Sequence, residues 1–201
     1  MLDGKVRQII DPVLDWMGSA LAARRISANS VTFAGLATGL AAALVIALEA
    51  YLAGLVLLLI SRLADGLDGA VARHSRTTDL GGYLDIVSDF TFYGAIPLGF
   101  VLADPAANAV AGAVLILSFY VNGSSFLAFA IMAEKQGLTT IARGSKSLYF
   151  TTGLAEGTET IAVFCAFCLF PSAFVSIAYV FAAICFVTAG ARVLLAIKTL
   201  D

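Results

Sequence analysis

Apolar residues recur along this chain in two different patterns. Over residues 3–22, Val6, Ile9, Ile10, Val13, Leu14, Met17 and Leu21 fall at helical spacing, with Asp3, Lys5, Arg7, Asp11 and Asp15 between them. This predicts an amphipathic helix lying in a membrane interface, with Trp16 as a headgroup-level anchor and Pro12 as a kink. After Arg24 and Arg25 the pattern changes. Long apolar runs cover about residues 31–48, 51–74, 81–102, 107–132, 153–170 and 173–197, with Pro97 a possible kink in the third. Runs of 18 to 26 residues suffice to cross a hydrocarbon core of roughly 30 Å. The expectation is an all-α polytopic membrane protein of one domain, with six transmembrane helices after the interfacial helix. Ser27-Ala28-Asn29-Ser30 supplies N-cap residues for the first span, and Gly35 and Gly39 form a small-residue step suited to close helix packing.

Composition agrees with this reading. A chain of 201 residues that is 60% hydrophobic, with a mean hydropathy of +0.95, lies far from soluble composition. A net charge of −2 without a basic run leaves no footprint for nucleic acid. No secretory signal is expected, because the first long apolar run lacks the short apolar region and small-residue cleavage site of such a leader. Cys165, Cys168 and Cys185 sit inside apolar runs and read as small hydrophobes.

The basic residues fall on one side of this layout. Lys5, Arg7, Arg24 and Arg25 precede the first span, Arg73 and Arg76 lie between the second and third, Lys135, Arg143 and Lys146 between the fourth and fifth, and Arg192 and Lys198 near the end. The connections near Glu49, Asp104 and Pro171 carry none. The positive-inside rule therefore puts both termini and the acidic motif on the cytoplasmic side of the membrane, which in a bacterium would be the inner or plasma membrane. The twelfth basic residue, Arg62, stands inside the second span one turn before Asp65. It should face the bundle interior, as an ion pair to Asp65 or another intramembrane acid or as a substrate contact.

Five of the 14 acidic residues lie between Asp65 and Asp89, and four of them, Asp65, Asp68, Asp85 and Asp89, stand in some of the most apolar sequence of the chain. On helices, Asp65 and Asp68 are i,i+3 neighbours, and Gly81, Asp85 and Asp89 step along one face at i,i+4. Four carboxylates in a weakly solvated place repel one another and lose hydration, so the site calls for cations. Oxygen-only ligands favour a hard divalent ion, Mg²⁺ or Mn²⁺, of the kind shared between carboxylates and substrate phosphates. Zinc is disfavoured, since the single histidine is His74 and the cysteines lie far downstream. Gly66, Gly69, Ala72 and Gly81 remove bulk beside the acids, so that a large group could press against the backbone.

The pattern D-x-x-D-G-x-x-A-R, seven residues, then G-x-x-x-D-x-x-x-D resembles the signature of the CDP-alcohol phosphotransferase family, whose eight fixed positions are met by Asp65, Asp68, Gly69, Ala72, Arg73, Gly81, Asp85 and Asp89. The resemblance implies transfer of a phosphatidyl or other substituted phosphoryl group from a CDP-alcohol to an acceptor hydroxyl, with release of CMP and with divalent metal, as two ions. Carried over by position, Asp65, Asp68 and Asp85 would hold the metal ions and the pyrophosphate. Asp89 would complete the metal site and act as general base. Gly69, Ala72 and Gly81 would border the CDP-alcohol, and Arg73 would orient its phosphates. The implied partners are CDP-diacylglycerol, a small acceptor alcohol, membrane lipid and a second copy of the chain in a homodimer. The role in phospholipid biosynthesis follows from that donor.

The acceptor is open in the sequence. Arg76, Arg143, Lys146 and Arg192 would suit the phosphate of glycerol 3-phosphate, whereas Glu156 and Glu159, at i,i+3, would suit a cationic amino alcohol or else pair with loop arginines. Asn122, Ser124 and Ser125 should make interhelical hydrogen bonds. Two rivals are a membrane prenyltransferase, which also uses paired Asp-rich segments on a diphosphate, and a cation transporter relaying ions through the aspartates.

Overall fold

The computed structural model describes residues 3–137 and 154–200, with side chains from Ile10 onward. Seven α-helices account for nearly all of them: α1 (Asp3–Ala23), α2 (Ala28–Ala47), α3 (Tyr51–His74), α4 (Asp79–Ala103), α5 (Pro105–Lys135), α6 (Gly157–Leu169) and α7 (Phe174–Thr199). No strand occurs among the described residues. The all-α expectation therefore holds, and the helices match the anticipated runs to within a few residues. Four of them, α2, α4, α5 and α7, are long and apolar enough to cross a membrane by length and composition. The count of six is not reached on that basis. α3 is long enough but carries Arg62, Asp65, Asp68 and Arg73, and α6, with 13 residues, falls short of the run expected from residue 153.

Local chemistry sets the helix ends. Ser27 and Thr78 cap α2 and α4 by accepting from the backbone N–H groups of Ser30 and Gly81, and Asp104 caps α5 through Ala107. α1 and α2 stop in left-handed residues, Arg25 at φ 60° and Glu49 at φ 63°. There Ile26 N–H returns to Leu21 C=O and Ala50 N–H to Val45 C=O, the paired closing bonds of a Schellman turn. Charged side chains hold these positions despite the strain, because both connections lie outside the apolar runs.

α2 packs against both α3 and α4, α1 against α3, and α5 against α4 and α7. Small residues permit the close approaches. A Cβ on Gly39 of α2 would lie 2.7 Å from the Phe92 ring and 2.8 Å from Ser61 Oγ, and one on Gly35 3.1 Å from Ala64 Cβ. The Gly35–Gly39 step is thus the packing face expected of it. Away from this face the core is aromatic: Phe100 stacks on Phe174 with centroids 5.0 Å apart, and Phe167 lies 4.7 Å from Phe174, joining α4, α6 and the start of α7. In a lipid setting such packing, rather than exclusion from water, holds helices together.

α1 shows the two-sided character its sequence predicts. Leu14 is buried against α3 with Met17 and Leu21 packed around it, while Val13 and Trp16 are exposed, Trp16 at 73%.

Phe100→Ala should remove a fully enclosed ring and lower the unfolding midpoint in detergent by about 6–12 °C, from about 3 kcal/mol of lost packing. Phe33→Ala, at an exposed position on α2, should change it by less than about 2 °C. Thermal unfolding of the two purified variants checks this contrast.

Candidate active site

The first acidic pair lies in the second half of α3 and the second pair in the first half of α4. Because both helices rest on α2, their acids meet across an opening rather than across a tight backbone crossing. That opening is a cavity of about 240 Å³ lined by Thr32 of α2, Asp68, Gly69 and Ala72 of α3, and Gly81 and Asp85 of α4. Asn29, Arg76 and Thr78 also border it. The missing side chains are part of its shape. Among the described residues, a Cβ on Gly69 would have only Arg73 Nη1 within reach, at 3.8 Å, and one on Gly82, also in the lining, would meet nothing within 4 Å.

The carboxylates are held by few partners. Thr32 Oγ1 donates to Asp68 Oδ2 at 2.5 Å, burying Asp68 against α2. Arg62 Nη1 donates to Asp89 Oδ1 at 2.8 Å and lies 3.5 Å from Asp65 Oδ1. Asp65 also neighbours Asp89 and Asp68, and Asp85 neighbours both Asp68 and Asp89. Among the described residues the four acids therefore form one continuous group, set against the buried Arg62 guanidinium, the Thr32 hydroxyl and the backbone N–H of Gly69.

Among the described residues, no three His, Cys, Asp or Glu side chains converge closely enough to enclose an ion. The donor set nonetheless fits a hard divalent cation. Four carboxylates offer only oxygen, their charge exceeds what Arg62 supplies, and the cavity beside Asp68 and Asp85 leaves room at glycine backbone for a phosphate-bearing ligand.

The other sequence candidates separate into three groups. Arg73 is half exposed and turned toward Asp15 of α1, 3.7 Å away, while Asp15 also lies 3.1 Å from His74 Nε2. It sits at the rim beside Gly69 rather than in the cavity lining, where Arg76 is found instead. Glu156 is the residue before α6, Glu159 lies in its first turn, and Arg192 lies near Glu156. Arg192 Nη1 donates to Asn122 C=O and Oδ1, both at 2.9 Å, and to Ser125 Oγ at 2.8 Å, tying α7 to α5. Asn122 and Ser125 thus make the interhelical bonds expected of them, whereas Ser124 Oγ bonds Val121 C=O within its own helix. Arg143 and Lys146 lie outside the described residues. Thr32, Asn29 and Thr78 are site residues that the acidic pattern did not reveal. The available signal was a hydroxyl at 32 near the start of an apolar run, five residues after the cap.

A family model described as CDP-alcohol phosphatidyltransferase matches residues 25–195, a stretch holding the whole acidic group and α2 to most of α7. The chain is 45% identical over 193 residues to the inner membrane protein YnjF of Escherichia coli (strain K12), covering 96% of this chain and 94% of that protein. No solved structure matches it. Extent and motif agree, and the chain belongs to the CDP-alcohol phosphatidyltransferase family, transferases that move a substituted phosphoryl group from a CDP-alcohol to an acceptor.

Proposed function

We propose that this protein is an integral-membrane phosphatidyltransferase of phospholipid synthesis that uses CDP-diacylglycerol as donor and glycerol 3-phosphate as acceptor. The observation that carries the reading is a continuous group of four aspartates, two of which, Asp68 and Asp85, line a cavity of about 240 Å³ together with Gly69, Gly81 and Gly82. Asp65, Asp68, Asp85 and Asp89 would hold two Mg²⁺ or Mn²⁺ ions, which when bound cancel charge on the diphosphate and on the departing CMP. Gly69, Ala72 and Gly81 leave space for the cytidine end, and Arg76 in the lining and Arg73 at the rim offer cations to its phosphates. Asp89 accepts the proton of the acceptor hydroxyl as its oxygen bonds to the phosphorus carrying the diacylglycerol. The bond from that phosphorus to the bridging oxygen breaks, and CMP leaves with the electron pair.

The acceptor preference rests on charge. Glu156 neighbours Arg192, so the acid at the start of α6 is balanced within the protein and gives little reason for a cationic acceptor. A Cβ on Gly157 would lie 3.6 Å from Tyr93 Oη, so the start of α6 rests on the side chain of a residue one helical turn after Asp89. One-sided basic connections support a cytoplasmic active site with both termini on that side. A single domain assembled as a homodimer completes the proposal.

Purified protein in detergent with Mg²⁺ should form CMP from CDP-diacylglycerol with glycerol 3-phosphate and none after chelation. CMP formed only with serine, choline or ethanolamine would reject the acceptor, and none with any acceptor would reject the donor. Asp89→Asn should lower kcat by at least about 10³-fold with the unfolding midpoint little changed. A near wild-type rate would remove Asp89 from the role of base. Gly69→Val, which fills the cavity floor, should weaken binding of a cytidine nucleotide about tenfold, or ~1.4 kcal/mol. Calorimetric titration with CDP measures it.

A further inference from the structure

Arg62 differs from the other cations near the site in being enclosed. Its side chain is 9% exposed, and its guanidinium carbon lies 3.7 Å from the centre of the Phe92 ring. Nη2 reaches Ser61 Oγ at 3.3 Å, and Ser61 in turn donates to Gly35 C=O at 2.8 Å. Gly39 makes the room in which Phe92 and Ser61 meet. The guanidinium is therefore clamped between an aromatic face and a hydroxyl fixed to α2, with one nitrogen aimed at Asp89 and Asp65. Its Nε is buried and finds no acceptor among the described residues. A buried donor left without a partner costs free energy, which the ion pairs made by the other nitrogens offset.

The two oxygens Arg62 approaches, Oδ1 of Asp89 and Oδ1 of Asp65, belong to the carboxylates that a divalent cation would need at that end of the group. A guanidinium keeps its charge at any working pH. It must therefore either yield those oxygens or share them with a second cation at a cost in repulsion. Two divalent ions already balance four aspartates, and Arg62 adds a further positive charge. An arriving anionic diphosphate supplies the charge that offsets it.

We propose that Arg62 is a built-in competitor of the divalent cation at Asp65 and Asp89, a positioning residue that keeps metal binding weak until the diphosphate of the donor is present. This rests on the reading of the four aspartates as a divalent-cation site. Its consequence is that metal and donor load together, and that the empty group of acids is stabilised by a cation the chain itself carries.

Mn²⁺ binding to the purified protein, followed by loss of the free-ion electron paramagnetic resonance signal with and without CDP, tests the proposal. In the wild type, CDP should tighten Mn²⁺ binding. In Arg62→Gln, Mn²⁺ should bind at least about tenfold more tightly without CDP, a change of ~1.4 kcal/mol, and the gain on adding CDP should shrink. Arg62→Lys, which keeps the charge but cannot lie flat on the Phe92 ring, should fall between the wild type and Arg62→Gln. Unchanged or weaker Mn²⁺ binding in Arg62→Gln would overturn the proposal. Should that variant fail to fold, Phe92→Leu removes the clamp and keeps the charge, and Mn²⁺ binding unchanged from the wild type would overturn it equally. A wild type that binds no Mn²⁺ with or without CDP would reject the divalent-cation reading itself, an outcome distinct from a wild type and variants that bind alike.

Discussion

Four carboxylates inside an apolar helical bundle are tolerable only where something meets their charge, and the arrangement around the site follows from that need. The guanidinium of Arg62 lies between α3 and α4, bonded to Asp89 and close to Asp65. A lysine there would bring a compact, strongly hydrated charge, whereas the flat guanidinium can lie on the Phe92 ring and still point a nitrogen at the acids. Asp68 is met differently, by the Thr32 hydroxyl, and Asp85 faces the cavity. The group is thus graded from an enclosed end at Asp65 and Asp89 to an open end at Asp68 and Asp85. A phosphate-bearing ligand would approach the second.

α2 contributes no charge of its own, yet it sets the geometry. It packs on both acid-bearing helices and holds them as two walls of an opening. Gly35 and Gly39 let it come close enough for Ser61 to reach the backbone of Gly35 and for Phe92 to lie over Arg62. Thr32, two turns before Gly39, then stands at the level of Asp68. A single helix face therefore supplies packing at one end and a hydrogen-bond donor at the other. Larger residues at 35 or 39 would move the walls and, with them, the acids.

Much of this was legible in the sequence. Apolar runs gave the helices, because a membrane-spanning helix must be continuous and long, and the i,i+3 and i,i+4 spacings gave the two acidic stripes. Arg62 was legible as an interior cation, but Asp89 as its nearer partner was not. That pairing spans 27 residues and depends on how α3 and α4 sit on α2. The shortness of α6 was hidden for a related reason. Apolar content continues from Gly153, while the helix begins only after Glu156, whose extended backbone makes it a cap rather than a first turn. In the sequence Arg192 suits the phosphate of an acceptor, and its engagement by Asn122 and Ser125 depends on α5 and α7 lying side by side.

The motif helix also has a second face, and it ties the site to α1. Asp65, Asp68, Gly69 and Ala72 turn toward the acids and the cavity, whereas Gly66, Ala70 and Arg73, at steps of four and three, turn toward α1. Leu14 sits where a side chain on Gly66 would project, and Gly18 leaves space only for Ala70. Asp15 stands near both Arg73 and His74 at the end of the same stripe. The small residues around the acids therefore serve two purposes, since those on the cavity side make room for a ligand and those on the other side admit a neighbouring helix. α1 presents Val13 and Trp16 outward from this contact, so a helix suited to a lipid surface is packed directly against the back of the acid-bearing helix α3. A shift of α1 would be felt first at Gly66 and Ala70, each next in sequence to a residue of the site, which makes the seating of α1 a condition for the spacing of Asp65, Asp68 and Gly69.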